Sequence, residues 1–228
     1  SQFCSPLTNL RKDKWGGSPE NRKLFIISVL EAIKSAVGKS TPVTARIGLK
    51  DVDVNGLSSE EGLDTVKILE SKGLDGVELT YNIMNSYKDN IKPFAGVSLN
   101  KAIKTGLPLF GSFGNKNSEG YYLKFSKLAK QNNIKIPLIL VGGIRSTHFM
   151  QELLENEHVD FFSLARPLIR EPDLPNQLKN GRVGEFDCVS CNICFLHEGI
   201  HGTKCWRKKL KFIFQHIYLK IFSKLKIS

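Results

Sequence analysis

Helix-like and strand-like segments alternate four times between Ser18 and Leu164, and that alternation narrows the possible folds more than any other feature of the chain. Ser18-Pro19-Glu20 reads as a helix start: a serine hydroxyl accepts from free amides, proline suits the first helical position and glutamate complements the dipole. The helix runs to about Val37, with Leu24, Ile27, Val29, Leu30 and Ile33 as its apolar positions and Gly38 beyond its end. Residues 42–48 form a buried strand of β-formers. Ser58-Ser59-Glu60-Glu61 opens a second helix to about Lys72, and residues 76–80 give a second strand. A third helix over 119–132 leads into a strand over 136–141 that ends at Gly142-Gly143. A fourth helix, 147–156, precedes a strand over 159–164. Such strands are parallel, with helices packed outside, and four of them suit either half of an eight-stranded barrel or a small doubly wound sheet. The stretch from Tyr81 to Asn117, rich in Gly, Asn and Lys, is longer than an ordinary connection and is a candidate active-site loop.

Charge excludes less than it first suggests. The formal net charge is +11, but residues 204–228 hold eight Lys or Arg and no Asp or Glu, which leaves the body near +3. A nearly neutral body fits a metabolite enzyme acting on a small molecule and does not indicate a nucleic-acid groove. No run of 18 apolar residues occurs and the first residues lack a leader pattern, so a cytoplasmic protein is the expectation. The chain opens on Ser1 rather than Met, which suits a processed product or a piece of a longer reading frame.

Four sets of residues carry candidate chemistry. Gly142-Gly143 follows a strand and precedes a helix, so its amides are unobstructed at the carboxyl end of the sheet; Ala165-Arg166 closes the next strand in the same way. Two such turns and a guanidinium match a phosphate site, or else the glycines only turn the chain and Arg166 pairs with a carboxylate. Arg145 reaches the same phosphate or makes a surface salt bridge. Arg46, inside an otherwise apolar strand, must face an anion or water, and Glu78 is its candidate partner if it has no ligand. Cys188, Cys191, Cys194 and Cys205 form a C-x2-C-x2-C-x10-C set, spaced for an iron–sulfur cluster, for zinc, or standing as metal-free thiols, with His197 and His201 inside the last interval. In the tail, Leu210, Phe214, Ile217, Ile221 and Leu225 recur at helical spacing among lysines. That basic amphipathic helix docks on protein or lies on an anionic membrane surface.

The opening run fixes more positions than chance allows. Phe3, Ser5-Pro6, Asn9, Arg11, Asp13, Trp15-Gly16-Gly17-Ser18 and Asn21-Arg22 stand in the order and spacing of the segment after strand four in Old Yellow Enzyme relatives, with Cys4 in place of a usual Leu and Trp15 in place of a usual Tyr. Over residues 2–205 the chain resembles the NADH:flavin oxidoreductases of this family, in their 2,4-dienoyl-CoA reductase-like branch. The resemblance implies a TIM (β/α)8 barrel of which strands five to eight are present. It divides the chain into a half barrel at 1–184, a Cys-rich segment at 185–205 and a helical tail at 206–228. It implies FMN, with NAD(P)H as electron donor and an activated alkene or related acceptor. Arg46 then lies against the flavin pyrimidine edge, while Gly142, Gly143, Ala165 and Arg166 hold the phosphate. The cysteine motif resembles the [4Fe–4S] ligands of 2,4-dienoyl-CoA reductase and trimethylamine dehydrogenase, with one residue fewer in each of the last two intervals. The family's proton-donor Tyr and substrate-anchoring pair precede this segment, so the resemblance assigns no catalytic residue here and calls for a missing N-terminal barrel half or a partner subunit.

Overall fold

The computed structural model describes residues 1–82, 119–190, 194 and 202–206. The expected active-site loop beyond Asn82 and the basic tail beyond Trp206 lie outside the described residues. Two compact units divide the described chain: residues 1–82, 120–142 and 150–163 in one, and residues 119, 143–149, 164–190, 194 and 202–206 in the other.

The first unit is built on a parallel sheet of order β1-β2-β3-β4, from Thr44–Lys50 (β1), Gly76–Tyr81 (β2), Leu138–Val141 (β3) and Phe161–Ser163 (β4). Parallel neighbours need a crossover, and helices supply it: α2 (Ser59–Ser71) between β1 and β2, α3 (Leu123–Gln131) before β3, and α4 (Thr147–Glu155) before β4. Helix α1 (Pro19–Val37) leads in. The expected α/β alternation is therefore present, with strand β4 reduced to three residues.

Alternation along the strands separates two faces. Ile47 and Leu49, Val77 and Leu79, and Leu138 and Leu140 are buried, with α2 packed on β1 and α3 on β2 and β3. The opposite face carries one row across all four strands, in which Arg46 pairs in register with Glu78, Glu78 with Ile139, and Ile139 with Phe161. Phe161 in that row is 58% exposed.

Capping sets the helix ends. Ser18 accepts from the Asn21 amide at the start of α1, and Gly38, at φ 76°, closes it with its N–H on the Lys34 carbonyl. Ser58 and Glu61 form a reciprocal capping box on α2. Helix α1 buries cations alongside one of its apolar positions. Arg22, Lys23 and Leu30 are the buried positions, whereas Leu24, Val29 and Ile33 are about 40% exposed. The contact with α2 is ionic: Arg22 bonds Glu61 at 2.8 Å and the carbonyls of Cys4 and Gly17, and Lys23 pairs with Asp64.

Helix α3 begins at Leu123 rather than 119, because a turn at Gly120–Tyr122 precedes it. Strand β3 begins at Leu138 because Pro137 has no N–H to give the ladder, while Leu138 exchanges bonds with Asp160 through both its N–H and its carbonyl.

In the second unit, α5 (Arg166–Arg170) and α6 (Leu174–Lys179) are short helices that periodicity did not show; Pro167 and Pro175 near their starts were the available signal. Ile144, Leu174, Phe186, Val189 and Trp206 are its buried apolar residues. Backbone bonds from Phe186 to Arg145 and from Thr147 to Gly184 tie its segments together.

Candidate functional site

Arg46 lies on the face of β1 opposite Ile47 and Leu49, and its Nε sits 3.1 Å from Glu78 Oε1. The pairing is a direct consequence of register, since the two residues are opposite each other on parallel strands. Glu78 is nearly buried while Arg46 is 58% exposed, so the guanidinium is anchored at Nε and open elsewhere. Beside it is a cavity of about 400 Å³ whose lining includes Cys4, Arg46, Gly48, Thr80, Tyr81 and Asn82. Burial pushes the Cys4 thiol above its usual pKa, with the nearby cations opposing that and losing. Cys4 is therefore a packing residue of the cavity wall and a weak nucleophile.

Strands β3 and β4 run parallel with Val141 in register with Ser163, so the chain leaves both at the same sheet end, into Gly142-Gly143 and toward Ala165-Arg166. Gly142 and Gly143 have φ of 107° and 79°, conformations that residues with a Cβ avoid. Gly142 is also covered: its carbonyl accepts from Tyr121 N at 3.2 Å, and a methyl group there would meet the Tyr121 ring at 2.7 Å. Ala165 and Arg166 do not close the strand as expected. Strand β4 ends at Ser163, Ala165 stands before α5, and Arg166 is the first residue of that helix and half-buried.

The helix terminus next to the glycines is already occupied by a carboxylate. Glu119 Oε1 accepts from the amides of Arg145 at 2.5 Å and Ser146 at 2.8 Å, at the start of α4. Burial raises the Glu119 carboxyl above its ordinary value, although both amides, the Ser146 hydroxyl and the Arg145 charge pull the other way. The amides of residues 145 and 146 at this helix start are therefore already taken by a carboxylate of the chain itself. Arg145 is neither on the surface nor open to solvent: it is 3% exposed, with Nη1 on the Ile144 carbonyl.

Cys188, Cys194 and Cys205 stand at half-buried positions, none of the three in a disulfide. Cys191, His197 and His201 lie outside the described residues, and among those described no group of three His, Cys, Asp or Glu is gathered to hold a metal ion. Two residues at the end of α5 hold this segment. Arg170 Nη1 lies 3.9 Å from Cys205 Sγ, and Glu171 accepts from the amide of Asp187, next to Cys188, while pairing with Arg182. Among the described residues no helix is long and apolar enough to cross a membrane.

Sequence reasoning passed over Asp51, Asn82 and Glu119. Each bonds a residue more than 25 positions away, and a single acid or amide beside a strand end has no spacing signal.

Comparison with known proteins gives this geometry a family. Residues 1–185 match the family described as NADH:flavin oxidoreductase / NADH oxidase. A 4,4'-dithiodibutanoate disulfide reductase of Rhodococcus erythropolis is 33% identical over 90% of this chain and 53% of its own length; an NADH oxidase of Thermoanaerobacter brockii is 31% identical over 84% and 26%. The chain thus spans about half, or a quarter, of the length of these curated relatives. Among solved structures, histamine dehydrogenase from Rhizobium sp. 4-9 superposes with a TM-score of 0.59 at 28% identity, covering 79% of this chain and 23% of that one. With four-fifths of its length matched, two left-handed glycines at the end of a parallel strand, and Arg46 on the sheet's open face, the chain belongs to the NADH:flavin oxidoreductase / NADH oxidase family.

Proposed function

We propose that the chain is the carboxyl-terminal, four-stranded half of a (β/α)8-barrel flavin oxidoreductase that works with a second barrel half. The observation that carries this reading is the row Arg46–Glu78–Ile139–Phe161, which crosses a parallel sheet on the face that α2 and α3 leave uncovered. Parallel sheets are covered on both faces, and in a barrel the second covering is the opposite wall of the same sheet. The half-exposed Leu24, Val29 and Ile33 on α1 support the same conclusion, since they are the residues a preceding helix of such a barrel would bury.

FMN fits the residues present. Gly142 and Gly143 carry no side chain where the chain leaves β3; the backbone there and at Ala165, with the Arg166 guanidinium, would hold the phosphate. Arg46, braced by Glu78, places a fixed cation on the open face, where negative charge on a reduced ring would be stabilised. Bound FMN supplies the transfer of reducing equivalents from NAD(P)H to a small-molecule acceptor. Glu78 contributes by keeping the guanidinium from turning away to water.

The test is FMN titration of this chain alone and of the chain co-expressed with the preceding barrel half. The expected result is a yellow, fluorescence-quenched complex in the pair and weak uptake by the chain alone. A pair that takes up no flavin removes the reading.

A second reading concerns the cysteines. The spacing of Cys188, Cys191, Cys194 and Cys205 and the Arg170 contact at Cys205 favour a ligand set for a [4Fe–4S] cluster or zinc. Iron, sulfide and zinc analysis of anaerobically purified protein decides it, and metal-free protein rejects it. A peripheral membrane contact through the tail is tested separately by liposome sedimentation with and without residues 206–228.

A further inference from the structure

Ser190 is held in an unfavourable state in two respects. It is 2% exposed, yet among the described residues its hydroxyl has no hydrogen-bond partner. Its φ is 48°, in the left-handed region that residues with a Cβ enter only at a cost. A frayed loop does not account for this, because the segment before it is pinned. The Phe186 amide donates to the Arg145 carbonyl at 2.7 Å and the Asp187 amide to Glu171 Oε2 at 2.5 Å, while Phe186 and Val189 are buried on either side of Cys188.

A buried hydroxyl without an acceptor and a left-handed backbone at a side-chain-bearing residue both oppose folding, and such outliers gather where a structure holds a ligand. The acceptor that this segment can supply is sulfur. Ser190 stands two residues after Cys188 and one before Cys191, inside the opening of the cysteine set. The same compact unit brings a second donor to the last cysteine, where Arg170 Nη1 lies 3.9 Å from Cys205 Sγ and the adjoining Trp206 is buried. A protonated thiol is a weak acceptor, whereas a metal-held thiolate carries negative charge and suits both donors. The orphaned hydroxyl therefore fits a metal held by sulfur.

We infer that Ser190 is a positioning residue of the cysteine site, its hydroxyl donating to a metal-held sulfur, either a cysteine thiolate or a sulfide of a [4Fe–4S] cluster. This rests on the metal reading of the cysteines and not on the flavin. Such a bond draws negative charge away from sulfur. At a cluster it favours the reduced, more negative state and so raises the reduction potential. At zinc it stabilises the thiolate form and so strengthens retention of the metal.

The test uses the chain assembled with the preceding barrel half and purified anaerobically, and compares the parent with Ser190→Ala and Ser190→Gly. Both variants remove the hydroxyl, and glycine also relaxes the left-handed backbone. A serine that only shaped the loop would leave Ser190→Gly with the parent's metal properties and an equal or higher melting temperature. In a parent that holds iron and sulfide, an EPR-monitored redox titration is expected to show the reduced state disfavoured about tenfold in both variants, about 59 mV for one electron. In a parent that holds zinc, chelator competition should show both variants binding it about tenfold more weakly. Parent-like potential or affinity in a folded Ser190→Gly protein overturns the role of Ser190 alone. A metal-free parent overturns it together with the metal reading. Should Ser190→Ala melt early, Ser190→Gly carries the comparison. A metal-loaded parent that takes up no FMN rejects the flavin reading and still decides Ser190.

Discussion

Gly142 shows how one residue serves both packing and chemistry. Its φ of 107° and the Tyr121 ring above it leave no room for a Cβ. Gly142→Ala is expected to destabilise the fold by about 1–3 kcal/mol, read as a lowered urea midpoint, and to weaken FMN binding in the assembled protein. Glu119 gives a pH-dependent case. Burial raises its carboxyl, so the folded chain holds the proton to higher pH than the unfolded chain does. Its contribution to stability is greatest below the ordinary value of 4.5 and declines as pH rises through the raised value. Glu119→Gln keeps an oxygen for the amides of Arg145 and Ser146 and removes the titration. Denaturant melts between pH 4.5 and 7 should show the variant gaining on the parent as pH rises; a constant gap would contradict this. The most family-specific stretch of the sequence turns out to hold the fold together. Asn9 Nδ2 bonds the carbonyls of Phe3 and Trp15, Ser5 bonds Asp51, and Arg22 bonds three acceptors.

Helix termini were legible because capping is local. Ser18 and Ser58 sit where the sequence placed them, and Ser58→Ala should cost about 1 kcal/mol by loss of the reciprocal bonds with Glu61, measurable as a lower melting temperature. Helix faces were less legible. In α1 the apolar spacing showed a helix but not its buried face: Arg22 and Lys23 are buried with Leu30, because Glu61 and Asp64 come from a helix about forty residues away. The half-exposed stripe that results belongs to an interface in the half-barrel reading. Val29→Lys should leave the melting temperature of the isolated chain nearly unchanged and weaken its association with the other barrel half, as read by co-purification.

At the scale of the molecule, the row Arg46–Glu78–Ile139–Phe161 and the parallel exit of β3 and β4 are the features from which function is argued. Helix–strand alternation, the caps and the candidate residues Arg46, Gly142, Gly143, Ala165 and Arg166 could be read from the chain, since they depend on neighbours within a few positions or on a run of residues matched in order. The sequence by itself determined a parallel α/β fold and membership of a flavin oxidoreductase family. Only the tertiary structure decided that Glu78 braces Arg46, that Glu119 fills the start of α4, and that Asp51 holds Asn82 over Gly48. Those pairings join residues 26 to 32 positions apart, and no local periodicity encodes a contact made by folding the sheet.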